Sequence, residues 1–361
     1  MKSSNADNLF CKAENLRNRS RYRSALTLFK KALKRYSSSD DARGILDSQL
    51  AIGDVYRMIG DFDLSERYYS GAISKAESID DPVAASDATT NMGLSKRGKG
   101  DWKTASELFQ KSLRFYKKTE DVQATGFVLW AIGGNLRIKG DIPKAIETYR
   151  KALEIFESLR MNPSIGYCLC GLGGTSRIAG AFNDSLQYYS SANRLFSSLR
   201  DRFGVAYSYC GIGNAHRMLG DYKKALANFR RASSIYGEIG DKVSYSYTLW
   251  SIGTTYKMLG DYKTARSFFR MAQTRFTKTR DPRGLIYCRL GLGELCLLEN
   301  RRALADKYFA ESLDQAVHYG FRVEKCHALM LASSLSGKAK TTCYNKLGLR
   351  LQFSEAPFNI P

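Results

Sequence analysis

Proline is scarce in this chain, at 6 of 361 residues, and histidine scarcer still, at 3. Few prolines leave helices uninterrupted, because proline removes a main-chain donor and clashes with the preceding turn. No apolar run approaches the roughly 18 to 20 residues that a membrane-spanning helix needs. The opening stretch from Met1 to Asp7 has no apolar signal core, so the expected compartment is the cytoplasm. No two cysteines form a Cys-x-x-Cys pair, and His216, His318 and His327 complete no zinc pattern with them. Cys168 and Cys170 stand two apart, a spacing that points side chains in different directions on a helix. The eight cysteines are therefore read as reduced thiols packed as small hydrophobes, with no metal and no cofactor expected. The chain also lacks a phosphate-binding loop, a nucleophile elbow, a His-Glu-x-x-His and a dinucleotide fingerprint; its glycines at 171, 173 and 174 fall within a helical pattern. These absences point away from an enzyme. Acidic side chains are in deficit too: 35 Asp and Glu face 56 Lys and Arg, a formal charge of +21. Residues 1–180 carry 29 basic and 21 acidic residues, and residues 181–361 carry 27 and 14. Such a surplus implies an anionic partner, whether acidic protein, nucleic acid or a membrane surface.

What the chain does have is a period of forty residues, and a repeat overrides the two or three domains that its length alone would suggest. Gly53, Gly93, Gly133, Gly173, Gly213, Gly253 and Gly293 occupy one column. Seven residues on, Gly60, Gly100, Gly140, Gly180, Gly220 and Gly260 form a second, with Asn300 in the seventh place. Asp61, Asp101, Asp141, Asp221 and Asp261 follow directly; Ala181 and Arg301 depart. The second glycine predicts a helix stop in the left-handed conformation, and the Asp behind it a cap for the next helix. A small residue comes next (Ser65, Ala105, Ala145, Ser185, Ala225, Ala265, Ala305), and then an aromatic (Tyr69, Phe109, Tyr149, Tyr189, Phe229, Phe269, Phe309). A further small column runs from Ala72 to Ser312. Spacings of three and four keep these columns on one helical face. The first glycine column lies inside a helix, where glycine costs about 1 kcal/mol against alanine, and so predicts a helix contact too close for a Cβ. A third Asp column (Asp41, Asp81, Asp121, Asp201, Asp241, Asp281) would cap the first helix of each pair, with Met161 breaking it.

These columns resemble the tetratricopeptide repeat, most fully in Leu-Gly-Asp-Tyr at 219–222 with Ala225, Phe229 and Ala232. The period of 40 exceeds that repeat's usual 34, and the consensus proline after the second helix is missing. Longer helices of this kind are similar to the subclass that includes kinesin light chain and the spindle-orientation adaptors. The resemblance implies an all-α, right-handed α-solenoid of about seven to eight antiparallel helix pairs with a C-terminal capping helix. Residues 1–40 read as a degenerate N-terminal repeat with a clear second helix, 41–320 as seven repeats, and 321–361 as a capping helix near 323–335 and a tail. The tail from 352 onward reads as extended or mobile.

In the resembled family the first helix of each pair lines the concave groove. One column there is basic: Arg17, Arg57, Arg97, Arg137, Arg177, Arg217 and Lys257, with Leu297 ending it. Ten residues upstream stand Asp47, Asp87, Phe127, Tyr167, Tyr207, Tyr247 and Tyr287, and seven upstream Leu50, Thr90, Trp130, Cys170, Cys210, Trp250 and Leu290. The three columns share one stripe of the helix. Two readings fit. Basic residues in a last turn favour the helix C-terminus, and aromatics at helical spacing pack between repeats. Alternatively, arginines beside aromatics anchor a partner, through bidentate contacts to carboxylate or phosphate. His216, in the place of Tyr56 and Tyr256, reads as a packing residue. The functional expectation is a scaffold binding an acidic, extended peptide. With helices about 8–10 Å apart and ~3.3–3.6 Å per extended residue, one acid at every third position would match the arginines. The alternative is single-stranded RNA or other nucleic acid on the same stripe.

Overall fold

The computed structural model describes residues 5–337, 339–351, 353 and 355–361; the readings of residues 1–4, Gln352 and Ser354 lie outside them. Helices α1 (Asn5–Asn18) and α2 (Tyr22–Ser38) form a first pair, so the degenerate opening row has a real first helix. Seven pairs follow, from α3 (Ala42–Met58) and α4 (Phe62–Ser78) through to α15 (Pro282–Leu298) and α16 (Arg302–Tyr319). Then come α17 (Arg322–Ser334), within one residue of the expected cap, and the short α18 (Thr342–Asn345). No strand occurs among the described residues. The chain is an all-α solenoid of helix pairs.

The columns act as their chemistry requires. Asp41, Asp81, Asp121, Asp201, Asp241 and Asp281 each accept a hydrogen bond from a main-chain N–H of the helix that follows. Asp101, Asp221 and Asp261 do the same, whereas Asp61 and Asp141 make no side-chain cap. The loop glycines have φ between +79° and +92°, and Asn300 joins them at +64°. The helix glycines seat the aromatic rings of their own repeats. A Cβ at Gly53 would lie 2.6 Å from the Tyr69 ring, at Gly93 2.6 Å from Phe109, and at Gly213 2.7 Å from Phe229. Phe229 and Phe269 are fully buried.

The two helices of a pair differ in burial, which fixes the inside of the curve. Helix α15 is buried on every side, from Pro282 to Cys296, whereas α16 buries only Ala305, Phe309, Ser312 and Ala316. First helices also touch the first helix of the next repeat, and so line the interior. The solenoid winds tightly enough for successive turns to meet. Gly60 lies against Val243, Gly100 against Pro282 and Gly140 against Val323, so roughly four and a half repeats complete one turn. Across this seam the Trp102 Nε1 donates to the Tyr319 carbonyl at 2.8 Å, and Arg280 pairs with Asp63 at 2.9 Å.

One sequence expectation is corrected here. Cys326 and Cys343 form a disulfide, their Cα atoms 5.4 Å apart, because the chain reverses after α17 and lays α18 back against it. Their spacing of 17 residues gives no hint of this. Closing a loop of that size contributes on the order of 3 kcal/mol. Of the remaining thiols, Cys168, Cys170, Cys288 and Cys296 are buried as expected, Cys210 is half-buried and Cys11 is exposed. No helix among the described residues is long and apolar enough to cross a membrane.

The cap also holds a buried histidine. His327 Nδ1 lies 2.7 Å from the Tyr344 hydroxyl, its Nε2 has no partner, and burial pushes its pKa from 6.5 down to about 4. Its charged neighbours Glu324 and Arg283 are engaged with each other. Folded His327 is neutral where the unfolded residue takes a proton, so stability is lost as pH falls from about 6.5 to about 4. The full loss is on the order of 3 kcal/mol at ~1.4 kcal/mol per unit. Melting curves across this window for the chain and for His327→Gln should converge at low pH; parallel curves would disprove it.

Candidate functional site

The inner faces of the first helices enclose a cavity of about 260 Å³. Arg97 enters it from α5 (Pro82–Gly98), Arg137 from α7 (Val122–Lys139) and Arg177 from α9 (Asn162–Ala179). Each sits in the last turn of its helix, so three successive repeats present a guanidinium to one space. Tyr189, Tyr207, Tyr236, Tyr247, Trp250 and Tyr287 supply its aromatic walls, and Arg283 and Asp281 its far end. Arg283 is held by Glu324 at 2.5 Å, and Asp281 caps Gly284. Burial raises the Asp281 pKa.

The electrostatics of the three arginines are unusual. None pairs with a carboxylate among the described residues. Arg97 donates to the Ala131 carbonyl at 3.0 Å and stacks 5.6 Å from the Trp130 ring. Arg137 Nε and both Nε and Nη1 of Arg177 are buried without an acceptor. Burial pulls the Arg97 pKa down to about 10 and lowers that of Arg177. Desolvated guanidiniums with idle donors form a strong anion site, because an arriving carboxylate supplies both the charge and the acceptors.

A sequence column that the basic stripe alone does not reveal explains why they are unpaired. Arg17, Arg97, Arg137 and Lys257 each face the position just after the helix glycine of the next repeat. At the ends that position is acidic: Arg17 pairs with Asp54 at 3.0 Å and Lys257 with Glu294 at 2.5 Å. In between it reads Leu94, Gly134, Gly174, Asn214 and Thr254. The Arg97 guanidinium lies against Gly134, and Arg137 Nη1 is 3.1 Å from where a Cβ at Gly174 would stand. Glycine makes room for the guanidinium and offers no counter-charge.

The other expected site residues divide among different surroundings. Arg57 reaches Asp54 at 3.7 Å and the Tyr69 hydroxyl at 3.3 Å, away from the cavity. Phe127 is exposed and stacks on Trp130; it lines a separate cleft with Asp87, Tyr116 and Phe156. Trp130 and Tyr167 serve repeat packing: the indole donates to the Tyr167 carbonyl at 3.3 Å, and the Tyr167 hydroxyl to Asp201 at 2.8 Å. Trp250 repeats the first contact with the Tyr287 carbonyl at 3.1 Å while its ring faces the cavity. Tyr207 and Tyr247 are half-buried there. Arg217 and Lys257 are fully buried, and burial lowers both, Arg217 to about 9. Both are bonded to the returning C-terminal segment, read from the sequence as extended or mobile, which here has no regular secondary structure and is packed inside. That segment, with Glu294, Asn214 and Tyr189, is what the sequence reading missed. No group of three or more His, Cys, Asp or Glu side chains suited to a metal occurs among the described residues.

Comparisons place this geometry among known folds. A Rap conjugation gene regulator of the plasmid pLS20, in complex with the Phr* peptide, superposes with a TM-score of 0.64 at 13% identity, over 87% of this chain and 95% of that one. A Rap protein complexed with competence and sporulation factor gives 0.62 at 16%, over 95% and 98%. Aspartyl phosphate phosphatase F from Bacillus subtilis gives 0.57 at 15%, over 87% and 85%. At such identities the likeness is one of fold. No curated protein sequence matches this chain. The tetratricopeptide repeat family model matches residues 4–78, 85–158 and 168–238, more than half the length, and the chain therefore belongs to the tetratricopeptide repeat family.

Proposed function

We propose that this chain is a scaffold of the long-repeat, kinesin-light-chain-like kind that binds an acidic, extended peptide or protein segment in its inner channel. The observation that carries the reading is the set of half-buried guanidiniums at Arg97, Arg137 and Arg177, none of which has a carboxylate among the described residues, with idle buried donors on Arg137 and Arg177. Such groups are costly to bury unless an anion completes them. Their spacing of one per repeat suits a peptide with an acid at about every third residue, and the surrounding tyrosines suit its intervening side chains. The solved structures that share this fold include one named with a bound peptide and one with a bound factor, which accords with the reading.

The test is fluorescence anisotropy with a labelled peptide bearing glutamate at every third position, beside its glutamine counterpart and a single-stranded RNA. The glutamate peptide should bind and the glutamine peptide should not. The RNA should give no signal near ~50 mM salt, where phosphate contacts are strongest. Equal binding of both peptides would sink the anion reading. Binding of the RNA with a steep salt slope would replace it with the nucleic-acid one.

A further inference from the structure

The channel is already occupied by a segment of this chain. After α18 the chain runs back inside, where Phe358, Ile360 and Pro361 are buried. Three fully buried charged side chains hold its main chain. Glu294 accepts from the Phe358 N–H, the Lys257 ammonium donates to the Phe358 carbonyl at 2.7 Å, and Arg217 donates to the Ile360 carbonyl at 3.0 Å. Asn359 is held at both ends of its amide: Oδ1 accepts from the Arg217 guanidinium, and Nδ2 donates to the Arg217 carbonyl at 2.7 Å. Pro361 then borders the cavity that Arg97, Arg137 and Arg177 enter.

The alignment of these contacts with one strand of main chain is what distinguishes them from ordinary packing. Lys257 and Glu294 neutralise each other at 2.5 Å, yet each also spends a bond on residue 358. Arg217 has no acid among the described residues; apart from the segment, only Asn214 accepts from it, and its face lies 5.6 Å over Trp250. Without an occupant, Arg217, Lys257 and Glu294 would each lose a charge-assisted bond to main chain.

We propose that Arg217, Lys257 and Glu294 form a main-chain-reading subsite for an extended segment of aromatic–Asn–aliphatic–Pro chemistry. Residues 358–361 fill it in cis, and a partner segment gains the whole channel by displacing them. The proposal rests on the reading of the channel as a peptide site and adds its second half. Arginines of the middle repeats take the acidic portion of the ligand, and this subsite takes an apolar portion marked by asparagine. Asparagine is favoured because both ends of its amide are used, whereas Asp would lose the donor and Leu both groups.

The experiment compares the full chain with a Phe358→Ala, Asn359→Ala variant, whose changes lie outside the repeats. The first probe is a labelled peptide of residues 355–361, Glu-Ala-Pro-Phe-Asn-Ile-Pro, and the second the glutamate peptide described above. The first probe should bind the variant at least tenfold more tightly than the unaltered chain, and alanine in place of its asparagine should remove the gain. Equal binding to both chains, or none to the variant, overturns the proposal. Should the variant lose helicity, Asn359→Ala alone repeats the comparison. The arms separate the two readings. A glutamate peptide that binds neither chain while the first probe prefers the variant defeats the acidic-ligand reading and leaves this subsite standing. A glutamate peptide that binds while the first probe shows no preference does the reverse.

Discussion

Gly173→Leu costs about 3 kcal/mol and lowers Tm by about 4 °C, a result measurable by thermal unfolding followed by circular dichroism. A Cβ at this position would lie 2.7 Å from the Tyr189 ring, and that ring cannot retreat. Gly174 and Gly211 close on it from other sides, and it is 5% exposed. A leucine must push apart the two helices of one repeat, and in a solenoid that strain passes to both neighbouring interfaces. Gly237→Ala is the matching control. That glycine is exposed within α12 (Tyr222–Ile239), nothing lies near its missing Cβ, and its φ is not left-handed. It should gain up to about 1 kcal/mol from helix propensity alone. Opposite signs at two helical glycines would show that packing, and not glycine as such, governs the column. A harmless Gly173→Leu would refute that assignment.

Arg137→Glu with Arg177→Glu abolishes binding of the glutamate peptide, by a hundredfold or more, while leaving helicity and Tm nearly unchanged. Neither arginine has an ion pair to lose, and their buried donors are already unsatisfied. The new carboxylates face Arg97 and Arg283 across the cavity, which offsets the cost of placing them there. The bound peptide, in contrast, loses two charge-assisted contacts and meets two like charges, each change worth on the order of 2 kcal/mol or more. Anisotropy and thermal unfolding on the same preparation decide the matter. If this pair unfolds the protein while Gly173→Leu is tolerated, the assignment of channel and core is inverted.

The site was less legible than the fold, for a reason visible in particular residues. Arg97, Arg137 and Arg177 stand in the same sequence column as Arg57, Arg217 and Lys257, yet the first three enter one cavity, Arg57 is neutralised by Asp54, and the last two bind the chain's own end. Part of that difference is written in the column just after the helix glycine, which is acidic at Asp54 and Glu294 and glycine at Gly134 and Gly174. A reading confined to one column at a time passes over it. Trp130 and Trp250 likewise occupy equivalent places and make the same bond to the next repeat, but only Trp250 faces the cavity.

The sequence by itself determined everything that depends on neighbours within about one repeat. Helix stops at the glycines and Asn300, caps at nine of the eleven aspartates in the two columns, and the glycine-to-ring contacts all arise from chemistry repeated every forty residues. Only the tertiary structure decided that the turns meet at Gly60 and Val243, that Trp102 reaches Tyr319, that Cys326 joins Cys343, and that Asn359 lies on Arg217. The turn contacts follow from a small rotation added at each repeat, and a period in sequence fixes that rotation too loosely to say which repeats will coincide one turn later. The C-terminal segment has no period at all. Its place is set by a channel that exists only once the repeats have closed around it.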